Sequence, residues 1–311
     1  MNSRSFERRY VFTGTLALKT GLHVGSGWTV GSPSDDPVIR TPDGRPFIPG
    51  SSFKGAFRST VEKLAPVAGL KTCLLDHSDP DVECLSPQKS RRGEAFRALR
   101  EYEGRKLPTN EDTRPALEML GHPDWAGRKL SGDDLMALLD EQLCDTCKLF
   151  GSPYAASRIT FSDLLPPEDD KDADKMIQVR DGVAIDRDSE KAVDKLKYDY
   201  EVVAPAQTFQ VEILLEDPTE TDLALTCMGL SEFVGGLGYI GGNRSRGLGN
   251  CRIDDLYIYE LDLTGDVTER AKRLKQYLLK KKLEDKMNQV SDPQDFLERK
   301  ITALLDKVGG A

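Results

Sequence analysis

Apolar residues recur at every second position along residues 10–24, where Tyr10, Phe12, Leu16, Leu18 and Leu22 share one side of a period-2 pattern that predicts a strand. The period then changes. In SSFKGAFRSTVEKL, Phe53, Phe57, Val61 and Leu64 follow helical spacing, with Ser51 or Ser52 as the expected N-terminal cap. SRITFSDLL (157–165) predicts a second strand, and TFQVEILLE (208–216), alternating Phe209, Val211, Ile213 and Leu215, a third. TDLALTCMGLSEFV places Leu223, Cys227, Leu230 and Val234 on one helical face, and CRIDDLYIYEL closes the series with a fourth strand. The order βαββαβ is that of an α+β, ferredoxin-like unit. It spans residues 1–265 as one domain with two large insertions, at 65–155 and 166–207. Beyond it, ERAKRLKQYLLKKKLEDKM and DPQDFLERKITALLDKV predict two charged amphipathic helices, a C-terminal extension over 266–311.

Composition narrows the class of protein. With 38% hydrophobic residues the chain can bury a core, and it holds no apolar run long enough to cross a bilayer. The start MNSRSFERRY has no apolar stretch of the secretory kind, so a cytoplasmic location is expected, with no membrane partner. In that reducing setting the six cysteines are expected as thiols or metal ligands. A net charge of −9 argues mildly against a nucleic-acid partner. A sum is not a map, however, and residues 89–106 alone carry seven basic against three acidic side chains.

Three stretches carry candidate chemistry. GLGYIGGNRSRGLGN (236–250) has six glycines in fifteen residues around Arg244 and Arg246. Such density implies positive φ or a very close approach, and with the arginines it can meet phosphates; the plain alternative is a tight turn with solvated arginines. In FIPGSSFKGAFRS, Lys54 and Arg58 stand four apart near a helix N-terminus, a seat for a polyanion or an ordinary solvated face. The spacing of CDTC makes Cys144 and Cys147 a half-site for tetrahedral zinc. Cys73 and Cys84 are the favoured other half, His77 competes as fourth ligand, and a set of free thiols is the alternative. Cys227 and Cys251 read as small core residues.

The motifs GLHVGSG, DDPVIRTPDGRPFIPGSSFKGAFRS, LFGSP, SRITFSDL, VRDGVAIDR and GGLGYIGGNRSRGLGN, in this order over roughly residues 8–260, resemble the RAMP superfamily. More narrowly, they resemble the Csm-type backbone subunit of type III CRISPR effector complexes. The resemblance implies an RNA-recognition-like fold whose copies stack along a guide CRISPR RNA beside other type III subunits, with paired target RNA cut at regular intervals. It also implies an acidic cleaving residue ahead of Pro-Val-Ile. In SPSDDPVIR that position is Asp35, with Asp36 adjacent and competing. An aspartate there can take the ribose 2′-hydroxyl proton or hold a divalent ion, usually Mg²⁺ in the family, leaving a 2′,3′-cyclic phosphate and a 5′-hydroxyl; a plain turn is the alternative reading of SDDP.

The stretch 179–209 corresponds to the family's thumb-like hairpin, with Arg180 and Arg187 as RNA contacts. The implied RNA-binding set is His23, Ser51, Ser52, Lys54, Arg58, Arg180, Arg187, Gly241, Gly242, Arg244, Ser245 and Arg246. Some family members carry zinc in the first insertion. Competing functions are a non-cleaving scaffold on the same RNA, a stand-alone endoribonuclease that processes guide precursors, and a zinc-stabilised module unrelated to RNA.

Overall fold

The alternating segment at the N-terminus forms β1 (Arg8–Leu18), which buries Phe12, Leu16 and Leu18. In the computed structural model, residues 7–27, 34–73, 84–85, 90–109, 113–168, 176–185, 188 and 192–309 are described. β1 lies between β5 (Thr208–Glu216) and β7 (Asn250–Asp262), antiparallel to both. Phe12 faces Ile213 and Ile258 across the two ladders, and Leu16 faces Phe209 and Ile253, so the period-2 pattern fixes the register. With β2 (Ile159–Phe161) and β6 (Gly238–Tyr239) the sheet order is β2-β5-β1-β7-β6. Helix α1 (Gly50–Leu64) follows β1, and α6 (Glu220–Val234) connects β5 to β7. Strands, helices and order together are those of the ferredoxin-like βαββαβ unit.

Contacts divide the chain into two units. The first comprises Met1–Thr60, Thr160–Asp217 and Cys227–Arg299; the second comprises Val61–Ile159, Pro218–Thr226 and Lys300–Ala311.

In the first unit an aromatic cluster joins helices and sheet. Phe233 of α6 meets Phe53 edge-on at 5.2 Å and stacks on Phe57 at 5.8 Å, while Phe161 packs edge-on against Phe53 at 5.4 Å. Helix α1 begins at Gly50, ahead of the serines expected to cap it. The Gly50 N–H donates to Asp163 Oδ1 at 2.7 Å and the Ser52 N–H to Pro49 O at 2.9 Å, so Ser51 and Ser52 lie inside the first turn. The cap comes from a carboxylate distant in sequence, which periodicity does not register. A second apolar cluster forms from Val11, Tyr259, Leu261, Leu263 and Met287, with Tyr277 and Leu283 packed against it. The last two come from α7 (Val267–Leu279) and α8 (Leu283–Lys286). The C-terminal residues thus complete a core, and Phe296 reaches the Tyr10 ring at 6.0 Å.

A two-stranded hairpin, β3 (Ile177–Ile185) with β4 (Ala192–Val203), stands outside this sheet. It attaches through Leu22 and Val203, which exchange backbone hydrogen bonds at 3.0 and 2.7 Å. The strand expected over 10–24 therefore ends at Leu18, and Leu22 serves the hairpin instead.

In the second unit four helices, α2 (Arg91–Arg100), α3 (Arg114–Met119), α4 (Gly132–Gln142) and α5 (Asp145–Phe150), enclose a core of Leu99, Leu117, Leu120, Leu138 and Trp125 with Cys73, Cys144 and Cys147. A capping box between Ser131 and Asp134 starts α4. Among the described residues, no helix is long and apolar enough to cross a membrane.

Because Phe233 carries two of the ring contacts, Phe233→Ala is expected to destabilise the protein by about 3–5 kcal/mol. Tyr257→Ala, at a position 45% exposed, is expected to cost well under that. Chemical denaturation of both variants measures the difference, and equal losses would contradict this packing.

Candidate nucleic-acid interface and thiol centre

The glycine loop closes on the protein's own main chain. Gly241 has φ +78°, and a Cβ there would stand 2.2 Å from the His23 carbonyl oxygen; at Gly249, φ +84°, it would stand 2.0 Å from the carbonyl of Ile240. Both requirements named from the sequence, positive φ and close approach, are met within the fold. The Gly242 N–H donates to His23 O at 3.0 Å and the Gly249 N–H to Gly21 O at 2.8 Å. Between these anchors Arg244–Arg246 forms a 3-10 turn, entered through Asn243 in the left-handed region at φ 54°. Arg244, Ser245 and Arg246 are exposed at its tip. Arg244 Nε donates to Gly241 O at 3.0 Å, and Arg246 Nη1 to the Tyr198 hydroxyl at 3.0 Å. The loop is thus a rigid mount for two cations.

His23 sits beneath it, 7% exposed. Its Nδ1 lies 2.7 Å from Glu201 O and its Nε2 3.1 Å from Asp36 Oδ2, and its ring meets Tyr200 edge-on at 5.9 Å. Both ring nitrogens of His23, a residue expected among the RNA contacts, are therefore engaged by protein groups. The acidic segment runs along β4: Asp36 bridges Tyr200, and the Glu201 N–H donates to Asp36 O at 3.0 Å. Asp35 and Asp199 hold each other, the Asp35 N–H on Asp199 Oδ1 at 2.8 Å and the Asp199 N–H on Asp35 Oδ2 at 3.1 Å. Asp35 is exposed. Below it the Glu201 carboxylate, buried, accepts from the Val38 N–H at 3.1 Å and from Arg40 at 2.9 Å.

One cluster therefore gathers Gly241, Gly242, Arg244, Arg246, His23, Asp35 and Asp36. Arg180 joins it, since its Nη2 lies 3.2 Å from where a Gly21 Cβ would stand. Lys54 and Arg58 lie on α1, and the contacts above do not include them. Arg58 is 9% exposed, unlike a solvated helix face, and burial with the Arg58 charge behind it lowers the Lys54 pKa. Arg187 and His77 lie outside the described residues. Sequence reasoning missed Tyr198, Asp199 and Glu201. Their signal was the polar–aromatic alternation of YDYEVV, which puts Asp199 and Glu201 on one side of a strand.

In the second unit the four cysteines named from spacing meet. The sulfurs of Cys73, Cys84, Cys144 and Cys147 all lie within 4.8 Å of one another, with Cys73 and Cys147 at 3.4 Å. Tetrahedral zinc with Zn–S near 2.3 Å needs S···S separations of about 3.8 Å, so the set fits such an ion. The Cys144 N–H points at Cys84 Sγ at 3.1 Å, a bond that steadies a thiolate. Hydrogen bonds from Cys147, Cys73 and Cys84 hold the Cys144 thiol far below its ordinary pKa, while Cys144 pushes those of Cys84 and Cys147 up. The four sulfurs could hold a metal ion, which would take them as thiolates. Cys227 and Cys251 are buried in the first unit as expected, and burial raises the Cys251 pKa to about 12.

A glycine-mounted pair of arginines and an acidic segment thus sit together on a ferredoxin-like core. Residues 15–252 match the family profile described as RAMP superfamily, and the chain belongs to that superfamily. Two curated proteins, each named CRISPR system Cms endoribonuclease Csm3, match shorter stretches. That of Methanothermobacter thermautotrophicus is 46% identical over 61 residues, 18% of this chain and 24% of that protein. That of Methanocaldococcus jannaschii is 36% identical over 66 residues, 20% and 26% respectively. The matched stretch thus spans about a quarter of each relative's length.

Gly241→Ala combines strain with a backbone clash and is expected to cost about 3 kcal/mol or more, whereas Gly247→Ala, at φ +85° with open space around it, is expected to cost about 1–2 kcal/mol. Denaturation midpoints of the two variants test this, and equal costs would show that the loop does not close on His23.

Proposed function

We propose that the chain is a backbone subunit of a type III CRISPR effector complex that binds guide RNA and cuts complementary target RNA. The observation that carries this reading is the single cluster in which two exposed arginines, the glycine loop, His23 and the Asp35 carboxylate adjoin. Arg244 and Arg246 grip phosphates, the loop and the first turn of α1 with Ser51, Ser52 and Lys54 line the path of the guide, and base pairing reads the sequence. The hairpin β3–β4 acts as the thumb against the guide–target duplex. Its Val179 and Val183, 59% and 48% exposed, share a face that suits stacked bases, and Arg180 and Arg187 supply phosphate contacts. Neighbours in the assembly are other type III subunits and further copies of this chain.

Asp35 accepts the proton of the ribose 2′-hydroxyl as that oxygen attacks the adjoining phosphate in line; the P–O5′ bond breaks and the departing oxygen takes a proton from water, giving a 2′,3′-cyclic phosphate and a 5′-hydroxyl. Asp199 orients that carboxylate, since its N–H donates to Asp35 Oδ2 while its own Oδ1 accepts from the Asp35 N–H. The Asp35 and Asp199 carboxylates are hard oxygen donors that would hold a divalent ion such as Mg²⁺, which would supply charge neutralisation at the reacting phosphate.

Asp35→Ala in the assembled complex is expected to lower single-turnover target cutting by about 100-fold or more while guide RNA still loads. Undiminished cutting would make the subunit a scaffold. The cysteine cluster holds structural zinc in this reading. Metal analysis of the purified chain is expected to find one zinc per chain, lost in Cys144→Ala together with a lower melting temperature. A zinc-free chain of unchanged stability would make the four cysteines free thiols.

A further inference from the structure

We infer that His23 is a positioning residue: through Asp36 it clamps the acidic segment to β4 and so aims the neighbouring Asp35 carboxylate. The inference deepens the reading above and rests on Asp35 being the cutting residue. Three observations carry it. First, the His23 ring is 8% exposed and held on both sides, by Glu201 O at 2.7 Å and by Asp36 Oδ2 at 3.1 Å, whereas the Asp36 carboxylate is 55% exposed. The buried ring is the fixed partner and the acidic segment is the part being held. Second, residue 36 is where the segment joins β4, with the Glu201 N–H on Asp36 O at 3.0 Å, while the main chain beyond it, Pro37 O and the Ile39 N–H, bonds to Ser26 and Val24 instead. Asp36 and Tyr200 form an isolated bridge, and Asp35 meets only one residue of β4, Asp199, in the bonds described above. A shift of residue 36 therefore carries the Asp35 carboxylate with it. Third, the Asp36 carboxylate lies over Gly25, where a Cβ would come within 3.1 Å of Asp36 Oδ1 and 3.4 Å of His23 Nε2. The small residue leaves room for the pair. The same His23 anchors the glycine loop through its carbonyl, so one residue sets the spacing between the phosphate-gripping arginines and the carboxylate.

Proton accounting makes the clamp testable. Both partners of the ring are oxygen acceptors, so an imidazole with a proton on each nitrogen satisfies both. A ring carrying its proton on Nδ1 keeps the Glu201 bond and offers Nε2 as an acceptor, which an amide at position 36 can donate to. Asp36→Asn therefore preserves the contact while removing the carboxylate, and Asp36→Ala removes both.

The test compares wild type, Asp36→Ala, Asp36→Asn and Asp35→Ala in the guide-loaded complex, reading single-turnover cutting at saturating target and, separately, target affinity. Asp36→Ala is expected to cut about 10-fold slower with unchanged target affinity, and Asp36→Asn to recover to within about 3-fold of wild type. Asp36→Ala cutting at the wild-type rate overturns the clamp. Asp36→Asn as slow as Asp36→Ala also overturns it, since the Asp36 carboxylate would then act in the chemistry itself. If Asp35→Ala cuts as fast as wild type, the assignment of Asp35 is what fails, and the clamp is then judged by amide hydrogen exchange in the full chain. Exchange at the Asp35 and Asp199 amides is expected to accelerate at least about 10-fold in Asp36→Ala but not in Asp36→Asn, because loss of the clamp opens bonds that otherwise protect them. Unchanged exchange in Asp36→Ala overturns the clamp whatever the cutting data show.

Discussion

The approach of Gly241 to the carbonyl of His23 is the constraint on which the rest of the site depends. No side chain fits between them, since a Cβ would stand 2.2 Å from the oxygen. That contact brings a loop more than two hundred residues downstream onto the segment just beyond β1. The same segment pairs with β4 through Leu22 and Val203. Sheet, hairpin and loop therefore converge on residues 21–25, and the functional groups follow from that convergence. Arg244 and Arg246 are displayed because the glycines close the loop tightly, and Asp35 is displayed because Asp36 and Asp199 fix its neighbours.

Much of the core was legible because it obeys short-range periodicity. Phe12, Leu16, Phe209 and Ile213 alternate in the sequence and face one another across the ladders, and Phe53 and Phe57, at helical spacing, meet Phe233, the buried ring beside the Val234 that the helical pattern had picked out. The four cysteines were legible from Cys-x-x-Cys spacing plus the demand for a second half-site. What escaped were contacts whose partners are far apart in the chain. The cap on Gly50 comes from Asp163, and the partner of Asp35 is Asp199, 164 residues away. No local pattern announces either. The helices within residues 65–155 escaped for a different reason: the segment builds its own small core around Leu99, Leu117 and Leu138, with starts marked only by modest signals such as Ser131 and Asp134.

His23 shows what residue type leaves open: a lone histidine after a strand reads as a surface contact or as a structural group, and only the structure shows it buried with both ring nitrogens engaged. The acidic sum of the chain is likewise silent about position. At −9 it describes all faces together, while the glycine loop presents two guanidinium groups within three residues.

The most direct test of the account is photocrosslinking of the assembled complex, with 4-thiouridine placed in guide and target strands and the crosslinked peptides identified by mass spectrometry. The account predicts crosslinks concentrated in residues 236–250, in 34–40 and on the hairpin 177–203, all around His23. Crosslinks confined to the C-terminal helices or to the cysteine-bearing unit, with none in the glycine loop, would contradict it.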